Sequence, residues 1–480
     1  WVPDGRASSI LEDVKASVDA LGRTIDLLLL HAPDPRTPLV TSIRAMAQAK
    51  DAGAARSLGV CNVSRRQLEE IADIAPIAAV QVALGAHDDD AARGGVVAWC
   101  AARGIDVLAH SPLGGPKRAH KLAHDGDLRR VAARLGATPA EIVLAYLGAL
   151  SPAIVPIVGA RSVESVRSAA RAARLTLDDE ALAELDARFP GLSLVRRPRA
   201  APREARADVV MLMGIAGAGK SRAAQEWVAR GYERLNRDTL GGSLKGIARR
   251  LESSLRAREP SGVVLDNTYV TRASRSEVVR VAHENGASVR CIFLDTPLFD
   301  AQVNVVTRML DKHGTLLAGD ALRRAARHDP GLVAPGALFR MVRELEPPSE
   351  DEGFAAIEVV PFVREFSADA RPGAAIAVDA LSDLDASLVP PGAPVLVFGW
   401  RPDADTAPMP DVSHLGADAT VAFCTHPAGP PTCWCRPPLP GLWVEFARRR
   451  LIDPRTSVML GTSAAHRTMA RGLGVTYLGR

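Results

Sequence analysis

The chain reads as an α/β protein of three successive segments, each built on a parallel sheet. Two patterns say so. Short apolar runs alternate with amphipathic stretches across residues 1–194, and an apolar run at 209–213 breaks into a glycine-rich loop followed by a helix. In the first segment strands are predicted at 25–30, 57–61, 79–83, 106–109 and 154–158, with helices at 39–52, 65–74, 95–102 and 139–147. Thr138-Pro139 opens the last of these as a cap residue followed by proline at the first helical position. Regular alternation of this kind makes a parallel sheet with covering helices. Five strands cannot close an eight-stranded barrel.

The boundaries follow from composition. Residues 195–206 are rich in Arg and Pro and lack apolar periodicity, as linkers do, and a softer break lies near 366–373. The predicted division is 1–194, a linker at 195–206, then 207–366 and 370–480, with no internal repeat. A length of 480 residues is more than one core usually serves. A formal net charge of +4 does not indicate a nucleic-acid coat or a membrane-surface protein. No apolar run reaches the ~18–20 residues of a membrane helix, and no signal pattern opens the chain. Six cysteines, three of them crowded at Cys424, Cys433 and Cys435, do not make a disulfide scaffold. The expectation is a cytoplasmic protein without membrane contact; no oligomeric state is implied. The chain opens on Trp1 rather than methionine, and the N-terminus is expected to be incomplete.

The sharpest motif is Gly214-Ile215-Ala216-Gly217-Ala218-Gly219-Lys220-Ser221, a G-x-x-x-x-G-K-[ST] phosphate loop in a strand–loop–helix context. Gly214, Gly217 and Gly219 let successive N–H groups face a triphosphate, and the helix N-terminus adds a favourable dipole. Lys220 would reach the β- and γ-phosphates of ATP, and Ser221 would help hold magnesium. The chain has only seven lysines against 52 arginines, and one of them falls here. Downstream, Asn236-Arg237-Asp238-Thr239-Leu240 and a strand ending in Asp266-Asn267-Thr268 supply two carboxylates where magnesium or an acceptor hydroxyl needs one.

Residues 208–364 resemble the kinase domain of polynucleotide kinase/phosphatases, through G-x-x-G-x-G-K-S, Asn-Arg-Asp-Thr-Leu and Leu-Asp-Asn-Thr. The resemblance implies Asp238 as the general base on a 5′-hydroxyl and Arg308 as the lid arginine on the transferring phosphoryl group. Arg237 and Asn236 would lie near the acceptor, and Asp266 would serve magnesium or the acceptor. The structural alternatives are a helix N-cap for Asp238 and a solvated helix arginine for Arg308. The acceptor is expected to be a nucleic-acid 5′ end, with a small-molecule hydroxyl as the alternative. Arginines are many, but the stacking candidates are few: Trp227, Tyr232 and Tyr269.

Residues 9–188 resemble the C-terminal two-thirds of an aldo/keto reductase, through Asp26–His31, Gly59–Asn62, Val80–Val82, His110–Gly114 and Pro156–Arg161 in that order, which implies a partial (β/α) barrel for residues 1–194. The resemblance implies that His31 bonds the substrate carbonyl, that Asn62 and Gln81 hold the nicotinamide carboxamide, and that Arg161 and Ser162 meet the phosphates of NADP. The family's catalytic Asp, Tyr and Lys match nothing in the chain. His110 stands where a stacking tyrosine is usual, and Ala169 where an asparagine contacts adenine. Reductase chemistry is therefore not expected of these residues alone.

Near the C-terminus, Cys424, His426, Cys433 and Cys435 give C-x-H-x₆-C-x-C, a donor set for closed, structural zinc. With Arg436–Leu442 and Ile452–Gly461, the stretch resembles the zinc loop of haloacid-dehalogenase-like phosphatases of the histidinol-phosphatase type, over residues 374–478. That implies a small Rossmannoid domain in which Asp379, ending a strand at 375–379, matches the nucleophile. Leu381 replaces the acid/base aspartate, and Thr462 and His466 replace magnesium-binding aspartates. A fold without phosphatase activity is expected. Three functions are thus open. A P-loop kinase leads; an NADP-dependent reductase lacking its N-terminus, with a nucleotide-binding regulatory region, and a nucleotide-gated scaffold without turnover follow.

Overall fold

The computed structural model describes residues 3–196, 205–257, 262–383, 385–402 and 409–479. Most of the predicted linker, 197–204, lies outside the described residues, as does Arg258. The chain divides near residue 200 into two compact units.

In the first unit five parallel strands stand in chain order: β1 (Ile25–Leu30), β2 (Ala55–Cys61), β3 (Ile77–Ala83), β4 (Asp106–His110) and β5 (Ile154–Pro156). Leu58, Val60, Val80, Val107 and Ala109 are fully or almost fully buried, and Ile43, Leu68, Val97 and Ile142 from the helices pack in the same core. Covering helices explain why these strands read as continuous apolar runs. Capping boxes start three helices, Ser64 with Gln67, Thr138 with Glu141 and Ser162 with Ser165. The second of these helices, Pro139–Leu150, runs one turn past the predicted end. It stops at Ser151, whose extended backbone suits the proline that follows.

The second unit contains two five-stranded parallel sheets. One has β6 (Ala207–Met213), β7 (Glu233–Leu235), β8 (Val263–Asp266), β9 (Ala287–Asp295) and β10 (Ala356–Pro361) in the order β10-β9-β6-β8-β7. The other has β11 (Ala374–Ala377), β12 (Val395–Trp400), β13 (Thr420–Cys424), β14 (Val458–Gly461) and β15 (Thr476–Gly479) in the order β13-β12-β11-β14-β15. In each the first strand is central and the chain fills first one side of it and then the other: β7 and β8, then β9 and β10, in one sheet, and β12 and β13, then β14 and β15, in the other. Such a switch point opens a crevice at the strand's carboxyl end. Val209 to Met213 are completely buried, which accounts for the uninterrupted apolar run before the glycine loop. The predicted strand at 375–379 ends earlier, at Ala377. Val378–Asp383 coils into a 3₁₀ turn, so Asp379 sits in the turn beyond the sheet rather than on it.

The two sheets share a core. Trp434 is completely buried and, with Leu439 and Val444, packs against Met309, Leu322 and Leu338 of the first sheet's helices. Its indole N–H donates to Val333 O at 3.1 Å. Among the described residues no helix is long and apolar enough to cross a membrane.

Candidate active site

The glycine loop leaves β6 at the switch point and turns into the helix Lys220–Ala229. Gly217 and Gly219 have φ of +83° and +91°, which other residues rarely adopt. A Cβ on Gly217 would lie 2.4 Å from Ala301 O. The loop is also held from outside, because Asn304 Nδ2 donates to Gly217 O at 2.8 Å. Lys220 Nζ donates to the carbonyls of Gly214 (3.1 Å) and Ile215 (2.8 Å), which folds its ammonium back over the loop. Burial pushes its pKa down to about 8, against the carboxylates of Asp266 and Asp238; the Arg308 guanidinium adds to the lowering.

Asp266 ends β8 beside the loop and is almost wholly buried. It accepts from Ser221 Oγ at 3.0 Å and from Arg234 Nε at 3.1 Å, and Arg234 Nη2 also bonds it. Two oxygens, one hydroxyl and one carboxylate, thus face the same space, which fits a magnesium ion. Asn236, not Asp238, caps the short helix Arg237–Leu240 by accepting from Thr239 N. The capping alternative for Asp238 is therefore wrong: its carboxylate is free of that duty and lines the cleft. Asn267 accepts from Arg237 N at 2.9 Å and so fixes the turn that carries Asp238.

Arg308, on the helix Leu298–His313, lines the same cleft with its guanidinium packed against Gly331. It pairs with Asp329 Oδ1 at 3.1 Å, and Lys312 pairs with the other oxygen at 2.5 Å. Burial raises the Asp329 carboxyl, but Lys312 and Arg308 outweigh it and hold it below its ordinary value. Lys220, Ser221, Asp238, Asp266, Arg308, Gly217 and Gly219 all line one cleft of about 820 Å³. Sequence reasoning did not single out Arg234 or Asp329, the ion-pair partners of Asp266 and Arg308. Neither lies in a motif, and each pair joins positions distant in the chain. One expectation is corrected: Tyr269 is completely buried and cannot stack on a base. Trp227 and Tyr232 meet each other edge to face, 5.0 Å between centroids.

Cys424, His426, Cys433 and Cys435 converge with all four donor atoms within 4.8 Å of one another. Cys424 Sγ lies 3.6 Å from Cys433 Sγ and 3.5 Å from His426 Nδ1, and Cys435 Sγ lies 3.3 Å from that nitrogen. A tetrahedral site with Zn–S of about 2.3 Å needs sulfurs about 3.7 Å apart. The donor set fits zinc. Elsewhere on this sheet, Thr462 Oγ1 donates to Asp379 Oδ2 at 3.4 Å, and His466 Nδ1 accepts from Thr462 N at 3.3 Å. Burial pushes the His466 imidazole pKa down, opposed by Asp379.

In the first unit His31, Asn62 and Gln81 gather at the carboxyl ends of β1 to β3. Asn62 Nδ2 donates to His31 O at 3.0 Å, Asn62 N donates to Gln81 O at 2.9 Å, and Gln81 Oε1 accepts from Cys61 Sγ at 3.3 Å. Asn62 has φ of +55°, a left-handed conformation asparagine tolerates. Arg161 and Ser162 follow β5 at the opposite edge of the sheet, where Ser162 caps the helix Val163–Ala172. Only β4 lies between the strand that carries Gln81 and β5, while β2, β3 and β4 lie between that of His31 and β5.

Compared with known proteins, residues 1–188 match the aldo/keto reductase family and residues 209–328 an AAA domain. An uncharacterized oxidoreductase of Schizosaccharomyces pombe is 28% identical over 188 residues, 39% of this chain and 60% of its own length. Pyridoxine 4-dehydrogenase of Escherichia coli K12 is 35% identical over 202 residues, 39% of this chain and 65% of its own length. The bifunctional polynucleotide phosphatase/kinase of S. pombe is 29% identical over 156 residues, 32% of this chain and 34% of its own length. Residues 1–188 are an aldo/keto reductase domain, and residues 209–328 are an AAA-type P-loop domain with a polynucleotide kinase/phosphatase homologue. The chain spans less than two-thirds of the length of each of these relatives.

Proposed function

We propose that the second unit moves the γ-phosphate of ATP onto a hydroxyl, with the 5′-hydroxyl end of a nucleic acid as the acceptor. One observation carries this: a phosphate loop, a hydroxyl–carboxylate pair, the Asp238 carboxylate, which pairs with its neighbour Arg237 at 3.5 Å, and an arginine all line a single cleft. Backbone N–H groups of the loop and Lys220 bind the β- and γ-phosphates. A magnesium ion held by Ser221 and Asp266 would offset phosphate charge. Asp238 takes the proton from the attacking hydroxyl, and Arg308 steadies charge on the phosphoryl group in transfer. The polynucleotide acceptor is favoured by the name of the S. pombe relative and by the Asn-Arg-Asp-Thr-Leu match around Asp238.

Competing acceptors test it: γ-labelled ATP with 5′-hydroxyl oligonucleotides, the same oligonucleotides already 5′-phosphorylated, and a pool of small metabolites. Label on the 5′-hydroxyl ends alone is expected. Label confined to the metabolite pool would move the acceptor to a small molecule. No label anywhere would overturn the kinase reading.

In the first unit, the gathering of His31, Asn62 and Gln81 at one sheet edge favours an NADP(H)-binding role, with Arg161 and Ser162 toward the cofactor's phosphates. For the third sheet we infer a zinc-held phosphatase-like domain without phosphatase chemistry. At its switch point stand Asp379, Thr462 and a buried His466 in place of a set of carboxylates, too few to hold magnesium against a phosphate. Hydrolysis of phosphate monoesters abolished by Asp379→Asn would overturn that reading.

A further inference from the structure

The cleft has two unlike ends. On the β8–β7 side of the phosphate loop it is polar, lined by Asn236, Arg237, Asp238, Asn267 and Thr268. On the β9–β10 side apolar side chains join charged ones, Arg364, Glu365 and Arg448. Pro361, Phe362 and Val363 line it there from the segment leaving β10, and Trp443, Ala447 and Ile452 line it from the third sheet's side. The order β10-β9-β6-β8-β7 puts these ends on opposite sides of the central strand that carries the loop.

This end is a built structure. Arg364, in the segment leaving β10, donates Nε to Asp300 Oδ1 (2.8 Å), Nη1 to Leu473 O (2.7 Å) and Nη2 to Gly472 O (3.0 Å). That one side chain ties the segment to the helix Leu298–His313 and to the C-terminal end of the helix Ala464–Leu473. Glu365 next to it pairs with Arg222 on the first turn of the phosphate-loop helix, at 3.2 Å. The segment is thereby held alongside the loop.

In-line phosphoryl transfer needs the acceptor oxygen and the departing diphosphate on opposite sides of the transferred group. With Asp238 and the acceptor on the β8–β7 side, the diphosphate, and the nucleoside attached to it, must leave toward β9 and β10. A flat, largely apolar base there meets Pro361, Phe362 and Val363 on one wall and Trp443, Ala447 and Ile452 on the other, apolar faces that the β8–β7 end does not offer. We propose that this slot, between residues 361–366 and the helix Gly441–Arg450, receives the nucleobase of the bound ATP. The third sheet thus completes the nucleotide site of the second. The inference rests on the phosphate-loop reading above and adds the region's contribution to it.

Equilibrium binding of ATP and of inorganic triphosphate to the full chain separates the two. Ala447→Trp, which fills the slot, is expected to weaken ATP at least tenfold while triphosphate binding stays within twofold. Phe362→Ala, at a half-buried position, should weaken ATP selectively in the same sense and serves if the tryptophan variant fails to fold. Equal weakening of both ligands, or ATP binding unchanged in folded variants, overturns the inference. Lys220→Ala reports on the underlying reading: it must weaken both ligands. Triphosphate binding untouched by Lys220→Ala would overturn the phosphate-loop assignment, and this inference with it.

Discussion

Lys220, Asp238 and Arg308 were each legible as candidates, but what positions them was not. Asn-Arg-Asp-Thr allows either Asn236 or Asp238 to cap the short helix. Only the observed bond from Thr239 N to Asn236 leaves Asp238 for chemistry. Arg234 reaches Asp266 across neighbouring strands, 32 positions along the chain, and Asp329 reaches Arg308 from 21 positions away. No local pattern announces contacts of that range. Asp329→Asn should leave Arg308 unanchored and lower kcat with little change in ATP affinity, in steady-state kinetics. Lys220, with its pKa pushed down to about 8, loses its proton as pH rises through that value. ATP affinity should therefore fall above pH 8, a loss absent from Lys220→Ala. Stability of the free protein runs the other way. The unfolded chain keeps the lysine proton up to about 10.4, so it binds more protons there and folding gains as pH rises above 8.

Elements written in local sequence were the easiest to read. The glycine loop needs only consecutive residues, and its strand and helix follow from an apolar run and the absence of breakers. Gly217→Ala should cost about 1–3 kcal/mol for its positive φ alone and more for the approach to Ala301 O, measurable as a fall in melting temperature with loss of ATP binding. The ligand spacing of the zinc loop was equally local, and the four donors do converge. Metal analysis of the purified protein should find one zinc per chain, lost in Cys433→Ser. What spacing could not show is Trp434, which lies between two of these ligands yet faces the helices of the phosphate-loop sheet and bonds Val333 O. Trp434→Phe removes that bond, at a cost of about 1 kcal/mol. Tyr269 went the other way. An aromatic after a strand looked available for stacking, and its complete burial comes from the packing of β6, β8 and the helices over them.

For the molecule as a whole, sheet order and the sharing of cores are tertiary facts. Alternation in the sequence predicts parallel sheets but does not say which strand is central, and so does not say which side of the loop the nucleoside takes. The first unit has one core, while the helices beside the phosphate loop share theirs with the zinc-loop segment. Heating should accordingly resolve two transitions, in which chelation of zinc lowers one and leaves the other in place. The kinase reading stands or falls on Asp238, the group that binds no phosphate yet must move a proton. Transfer from γ-labelled ATP to a 5′-hydroxyl oligonucleotide should be compared in the wild-type chain and in Asp238→Asn, with ATP affinity measured on the same samples. ATP affinity unchanged and transfer slowed by about 10²–10⁴-fold is the predicted result. Transfer at the wild-type rate by a variant that binds ATP normally would contradict it.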